Sequence, residues 1–149
     1  MRVLHYYPKD NAIIERYVDI LCNAADNSCR CEKACHSSEI KQMLKDTHFD
    51  ILHIHGCLLP SLPAIVRKAI HFGTRIVLSP HGQLAPWINK KVKREMPFVS
   101  GCKMCISKAY AIIAMGRMEE KCIQEVSSNK RTIIIRNCII TQSITEKMM

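Results

Sequence analysis

The sequence predicts a doubly wound α/β fold built on a mostly parallel six-stranded sheet. Six near-continuous apolar runs of strand length recur along the 149 residues, as parallel strands buried on both faces require. Between them lie stretches whose apolar residues recur at helical spacing. Strand and helix patterns alternate instead of segregating, which selects successive βαβ units.

Each element has its own local reason. Residues 2–7 form a short apolar run, and Asp10 and Asn11 then offer an N-cap. Ile13, Ile14, Tyr17, Val18, Leu21, Cys22 and Ala25 follow at helical spacing, all expected to face inward. Residues 29–34 read as a second strand. Ser37 and Ser38 are expected to cap a helix that turns Ile40, Met43 and Leu44 inward and keeps Glu39 in its first turn. Asp50-Ile51-Leu52-His53-Ile54-His55-Gly56 is a strand running into a glycine turn. A helix from about Ser61 ends at Gly73, a good residue for the left-handed C′ position. Residues 75–79 form the fourth strand and stop at Pro80-His81-Gly82. After a basic, irregular stretch come a helix near 99–108, a fifth strand at 110–114, a helix at 116–126 and a sixth strand at 132–136. The domain is expected to span residues 1–140, with 141–149 as the start of a linker or tail. There is no internal repeat, and the only polar low-complexity stretch is 142–147.

Composition narrows the class. Hydrophobic residues make up 48% and charged residues 23%, an ordinary globular balance. No apolar run approaches bilayer length. Met1-Arg2 leads directly into a strand pattern with no h-region, so no signal peptide is expected and the expected compartment is the cytoplasm. Nine cysteines in such a chain point to reduced thiols or metal ligands, not to a disulfide framework.

The net charge of +9 is unevenly placed. Residues 1–50 carry seven basic and eight acidic groups, and residues 119–149 carry five and four. Residues 51–118 carry ten basic groups and a single acid, Glu95. Lys90, Lys91, Lys93, Arg94, Lys103 and Lys108 crowd one part of that segment. Such a cluster attracts phosphates, whether of a membrane surface, a lipid carrier, a nucleotide or nucleic acid. The plainer reading is a solvated face of a basic protein.

In the usual strand order of a Rossmann-like sheet, strands one and four are neighbours, and ligands bind in the crevice at their carboxyl ends. Strand one ends at His5-Tyr6-Tyr7, strand three at His53-Ile54-His55-Gly56, and strand four at Ser79-Pro80-His81-Gly82. Three histidine-bearing strand ends are therefore expected to converge on one rim. His53, alternating with Leu52 and Ile54, reads as a core histidine.

These residues carry a resemblance. The runs 50–56, Val77-Leu78-Ser79-Pro80-His81-Gly82-Gln83-Leu84-Ala85-Pro86-Trp87, Ala111-Ile112-Ile113-Ala114-Met115-Gly116 and Ile133-Ile134-Ile135-Arg136-Asn137 resemble the amino-terminal half of family-four retaining glycosyltransferases of the bacterial cell-surface polysaccharide type. The run from Ser79 to Trp87 is the most specific part. The resemblance implies one half of a GT-B enzyme, in which the amino-terminal domain holds the sugar acceptor and a second domain holds most of the nucleotide-sugar donor. It makes His81 the cleft histidine beside the transferring sugar, and Gly82 the point of close backbone approach. His5, His55 and Gly56 would sit on the rim, and Ser79, Gln83 and Trp87 would shape the acceptor pocket. Asn137 matches the asparagine that closes the domain. Two positions depart from the family. The first loop reads Tyr7-Pro8-Lys9-Asp10-Asn11 where glycines are usual, and residue 138 is Cys where Gly is usual. The donor domain, with its basic residue and glutamates seven apart, has no counterpart here, so the chain is expected to be truncated or half of a split enzyme and inactive alone. The implied partners are a glycan or lipid-phosphate-linked acceptor, a donor domain in cis or as a separate chain, and an anionic membrane surface docked through Lys90, Lys91, Lys93 and Arg94. A nucleotide-sugar would be substrate, and no cofactor or metal is expected.

Rival chemistries use the same residues. Cys29-x-Cys31 with Cys35-His36, and Cys102 with Cys105, offer zinc ligand types at poor spacing. Cys22, Cys57, Cys122 and Cys138 read as small buried thiols. No cysteine has the context of a catalytic nucleophile. The leading alternative from another class is a basic module that binds nucleic acid or an anionic membrane without catalysis. Nucleic acid is the less favoured partner, because aromatic residues are only 5% and no recognition signature is present.

Overall fold

The computed structural model describes residues 1–85, 96–129 and 131–136. Its strands are β1 (Arg2–Tyr6), β2 (Arg30–Ala34), β3 (Ile51–His55), β4 (Arg75–Ser79), β5 (Ala111–Ala114) and β6 (Thr132–Ile134). The helices between them are α1 (Ala12–Ala24), α2 (Ser37–Asp46), α3 (Leu62–His71), α4 (Met96–Lys108) and α5 (Arg117–Val126). All six strands are parallel, in the order β2-β1-β3-β4-β5-β6. The fold is Rossmann-like α/β. The expected domain limit at 140 and the segment 141–149 lie outside the described residues.

The strand order corrects one expectation: β1 is flanked by β2 and β3, not by β4. Composition explains why. The β2 sequence Arg-Cys-Glu-Lys-Ala is too polar to lie between two strands under helices, so it takes the sheet edge. The β3 sequence Ile-Leu-His-Ile-His is buried over four of its five residues and takes the centre. The chain thus reverses direction once, after β2, and the topological switch falls between β1 and β3.

That single reversal distributes the helices. A step in one direction along the sheet puts its right-handed crossover on one face, and a step the other way uses the opposite face. Only α1 belongs to the reverse step. Accordingly Leu4, Tyr6, Leu52, Ile54, Ile76, Leu78 and Ile112 form one large core with Ile40 and Leu44 of α2, Ile65 and Val66 of α3, Ile106 of α4 and Ile123 of α5. On the other face a smaller cluster joins Tyr7 to Ile14 and Val18 of α1. The β5–β6 end of that second face is open among the described residues, with Ile133 55% and Ile135 48% exposed.

The local signals hold with three exceptions. Asn11 caps α1, its side-chain oxygen accepting the Ile14 N–H at 3.1 Å. Gly73 takes φ 72° after α3, as its C′ role requires. Ile13, however, is 84% exposed, because it falls off the stripe set by Ile14 and Val18. Ser37 and Ser38 lie inside the first turn of α2, whose N-cap is His36 without a side-chain hydrogen bond. Helix α4 begins at Met96, a turn earlier than the apolar pattern indicates.

Candidate functional site

Period-two alternation decides which side chains meet at the switch point. Register pairs His5 with His53, His53 with Val77, and His55 with Ser79, and paired residues point to the same face. The face under α1 therefore carries His5, His53, His55 and Ser79, while the opposite face carries Leu4, Tyr6, Leu52, Ile54, Ile76 and Leu78 of the main core. His81 follows two residues after β4 on the same side. The three strand ends converge as the sequence predicts, through β3 lying between β1 and β4.

The histidines form one hydrogen-bonded row. His5 Nδ1 meets His55 Nε2 at 3.0 Å, and His55 Nδ1 meets His81 Nε2 at 3.0 Å. His53 Nε2 meets Ser79 Oγ at 2.8 Å. Adjacent rings stack, with centroids 5.3 Å apart for both His5–His55 and His55–His81. Tyr17 of α1 lies edge-on to His55 and His81 at 5.9 and 5.4 Å. His5, His53, His55 and Ser79 are buried, and His81 is half-buried. The rim is therefore His81, with His5 and His55 stacked beneath it as support. His53 is the core histidine its alternation indicates.

Burial keeps this row neutral. Desolvation lowers His5 to about 4 and His53 to about 3. His55, fully enclosed beside three other rings, is pushed well below the ordinary range, and His81 is lowered by desolvation as well. In a chain of neutral imidazoles each shared contact needs one N–H and one lone pair. Fixing the tautomer of His81 thus fixes those of His55 and His5.

The loop that presents His81 is tightly held. His81 itself has φ 53° and Gly82 φ 78°, two successive left-handed residues that turn the chain over the end of β4. Gly82 N–H donates to Glu119 Oε1 at 2.6 Å, and Met115 N–H donates to Glu119 Oε2 at 2.8 Å. This buried carboxylate in the first turn of α5 ties the β4 loop to the end of β5. Sequence reasoning passed over Glu119; its place three residues after Gly116, opposite the Pro-His-Gly turn, was the available signal.

Gln83 has a similar role. Its Oε1 accepts the N–H groups of Cys57 and Leu58 at 2.6 and 3.1 Å. Gly56, at φ 101°, donates its N–H to the Ser79 carbonyl at 2.8 Å and lies under the Gln83 amide. A Cβ on Gly56 would meet Gln83 Oε1 at 3.2 Å. Ser79 and Gln83 thus fasten the rim from below. Trp87, Lys90, Lys91, Lys93, Arg94, Asn137 and Cys138 lie outside the described residues.

The thiols fall differently from their sequence spacing. Cys22 of α1 is half-buried and faces Cys31 of β2, while Cys29 Sγ lies 3.8 Å from Cys31 Sγ. Burial and the two neighbouring sulfurs push Cys31 up to about 12. Cys57, Cys102, Cys105 and Cys122 are buried in or beside the main core. Among the described residues no helix is long and apolar enough to cross a membrane. A depression of about 460 Å³ lined by Ser107, Lys108, Ser127, Asn129 and Arg131 opens at the amino-terminal end of β5 and β6, away from the histidine row.

No protein-family model matches the chain, and no curated protein matches it. Among solved structures it is similar to a short-chain dehydrogenase/reductase (wide type) from Veillonella parvula in complex with NADP. That match has 8% identity over 76% of this chain and 68% of the other, with a TM-score of 0.46. An ethylated short-chain dehydrogenase/reductase from the same organism is similar at 8% identity over the same shares, with a TM-score of 0.47. Neither likeness bears on what this chain binds.

Proposed function

We propose that the chain is the acceptor-side domain of a GT-B glycosyltransferase of the family-four type, moving a sugar from a nucleotide-sugar to a glycan or lipid-linked acceptor when paired with a donor domain. One observation carries the reading. The Ser79-Pro80-His81-Gly82-Gln83 run, the most specific part of the family resemblance, is the loop that lifts a half-buried, neutral histidine onto the rim of the switch point. With its Nε2 spent on His55, the neutral imidazole offers its Nδ1, as an N–H or as a lone pair, to a sugar hydroxyl without acting as a base. The hydrogen bond to His55 and the stacking of the two rings orient His81, so acceptor hydroxyls meet a preformed partner.

His81 would be the residue that touches the reacting sugar. His55 and His5 are positioning residues acting through it, Gly82 admits the acceptor to the backbone, and Ser79, Gly56 and Gln83 hold the loop. Stabilising the departing diphosphate falls to the donor domain, so the chain alone is expected to bind an acceptor without turning it over.

The test is a titration of isotope-labelled chain with a polyprenyl-diphosphate-linked saccharide in detergent, with UDP-glucose and NADP as separate arms. The expected result is saturable shifts confined to His81, Gly82 and their neighbours with the saccharide alone. The variant His81→Asn keeps a residue tolerant of left-handed φ and should fold while weakening that binding at least about tenfold, or about 1.4 kcal/mol. Saturable NADP binding at the switch point would overturn the reading in favour of a dinucleotide site. The loop Tyr7-Pro8-Lys9-Asp10-Asn11 has none of the glycines that let a backbone approach a pyrophosphate.

A further inference from the structure

Two groups of side chains among the described residues have metal-ligating atoms within 4.8 Å of one another: His5 with Cys22 and Cys31, and His5 with His53 and His55. The all-histidine group is already occupied. His55 spends both ring nitrogens on His5 and His81, and His53 Nε2 is taken by Ser79. It also lies fully inside, with no half-buried member to admit an ion. In the thiol group His5 spends only Nδ1, on His55, and both sulfurs are half-buried.

We propose that Cys22, Cys31 and a ring nitrogen of His5 form a binding site for a soft divalent cation, Zn²⁺, that fastens α1 to the edge strand β2, with Cys29, beside Cys31 but outside that group, closing in as the fourth ligand. β1, α1 and β2 bring the three ligands together from positions 5, 22 and 31, so no knuckle spacing in the sequence announces the site. Two sulfurs each about 2.3 Å from a tetrahedral metal lie about 3.8 Å apart. The separation of Cys29 Sγ and Cys31 Sγ is 3.8 Å. Thiolate and imidazole together form the donor set that zinc accepts in closed structural sites, whereas carboxylate and carbonyl donors suit harder ions.

The surroundings fit the same conclusion. Cys22, Cys29 and Cys31 are half-buried, which gives an ion a way in. The nearest cation, Lys33, is paired with Asp19 across the same α1–β2 contact, so it does not oppose a bound metal. β2 is an edge strand of polar composition with only Ala34 fully buried. The apolar cluster beneath α1 is small, resting on Tyr7, Ile14 and Val18 with Cys22 and Cys35 packed against it. A tetrahedral ion bridging helix, edge strand and β1 would supply fastening that this corner lacks in apolar contacts.

The experiment uses the whole chain, purified under reducing conditions without added metal, stripped with a chelator and titrated with Co²⁺ as a spectroscopic probe. The expected result is one equivalent bound, with thiolate-to-cobalt charge-transfer absorption and the visible bands of a tetrahedral ion, and full displacement by Zn²⁺. Cys22→Ser and Cys31→Ser should each weaken binding by more than about tenfold, the scale on which even outer-shell changes act. His36→Gln should leave it unchanged. Should the serine variants misfold, alkylation of the unaltered chain decides the matter: Zn²⁺ should protect Cys22, Cys29 and Cys31 while Cys35 reacts as before. An octahedral cobalt spectrum without sulfur absorption, or equal alkylation with and without Zn²⁺, would overturn the proposal. So would a Cys29–Cys31 or Cys22–Cys31 disulfide whose reduction restores no metal uptake.

Discussion

His5, His53 and His55 are buried side chains with ionisable rings, and the fold accommodates them by keeping them uncharged. That choice sets a direction for stability against pH. The folded values lie below the ordinary 6.5, at about 4 for His5 and about 3 for His53, with His55 and His81 lowered too. Below 6.5 the unfolded chain therefore binds more protons than the folded one, and stability falls as pH drops. Above 6.5 neither state is protonated at these sites and their contribution is constant. Metal-free chain should accordingly show a urea midpoint that is flat between pH 7 and 8 and declines steadily from pH 6.5 towards 4. Each ring held neutral contributes up to about 1.4 kcal/mol per pH unit in that window. His53→Gln, which keeps an amide for Ser79 and removes the titration, should make the decline shallower; an unchanged slope would mean that the buried rings are not its source. The convergence of these rings was legible, since three strand ends carry histidine. Their pairing was not, because it depends on which strands are adjacent.

Strand adjacency was readable in part from the elements themselves. The apolar runs of β3 and β4 place both inside the sheet, and the charged β2 run Arg30-Cys31-Glu32-Lys33-Ala34 marks an edge. An order that buries β2 was the wrong inference from that composition. Contacts between elements left less trace. Glu119 is a case: a glutamate in the first turn of a helix is ordinarily a solvated partner of the helix dipole, whereas here it is 7% exposed and holds the Gly82 and Met115 amides. Its removal should be costly, because two part-buried N–H groups lose a charged acceptor worth about 1.5–3 kcal/mol each in net stability. Glu119→Ala is expected to destabilise the chain by about 3 kcal/mol or more in urea denaturation. Glu119→Gln keeps one carbonyl acceptor but turns an amide donor on the other N–H, so it should fall between. Amide exchange at Gly82 and Met115 should accelerate in both variants well before the core strands respond. A cost under about 1 kcal/mol for the alanine variant would show that water replaces the carboxylate and that the β4 loop is held by Gln83 alone. The cysteines were illegible for the same reason as Glu119. Spacing along the chain grouped Cys29 and Cys31 with Cys35 and His36, whereas crossing α1 back over β2 groups Cys31 with Cys22 and His5.

At the scale of the whole molecule the charge is the property most directly written in the sequence, and its effect does not depend on the placement of any one side chain. The amino-terminal fifty residues are balanced, with seven basic and eight acidic groups, while residues 51–118 hold ten basic groups against Glu95. A domain with this asymmetry presents a positive field on the part of its surface contributed by the middle segment, and that field extends about one Debye length, roughly 8 Å at physiological ionic strength. An anionic bilayer should therefore attract the chain through Lys90, Lys91, Lys93 and Arg94, at about 1 kcal/mol for each cation that reaches the surface. Four such groups amount to nearly three decades of affinity if all of them engage. Vesicles of phosphatidylcholine with a third phosphatidylglycerol should bind the chain at low salt and release it progressively as salt rises, whereas pure phosphatidylcholine vesicles should not bind it. Reversing the four residues to glutamate should abolish the binding, with a retained cooperative urea transition as the check that the variant still folds. Duplex DNA separates this membrane reading from its rival. A chain that grips DNA more tightly than anionic vesicles at equal salt, with a steep logarithmic salt slope, would move the basic segment from membrane docking to nucleic-acid contact. Binding indifferent to the four reversals would remove that segment from either role.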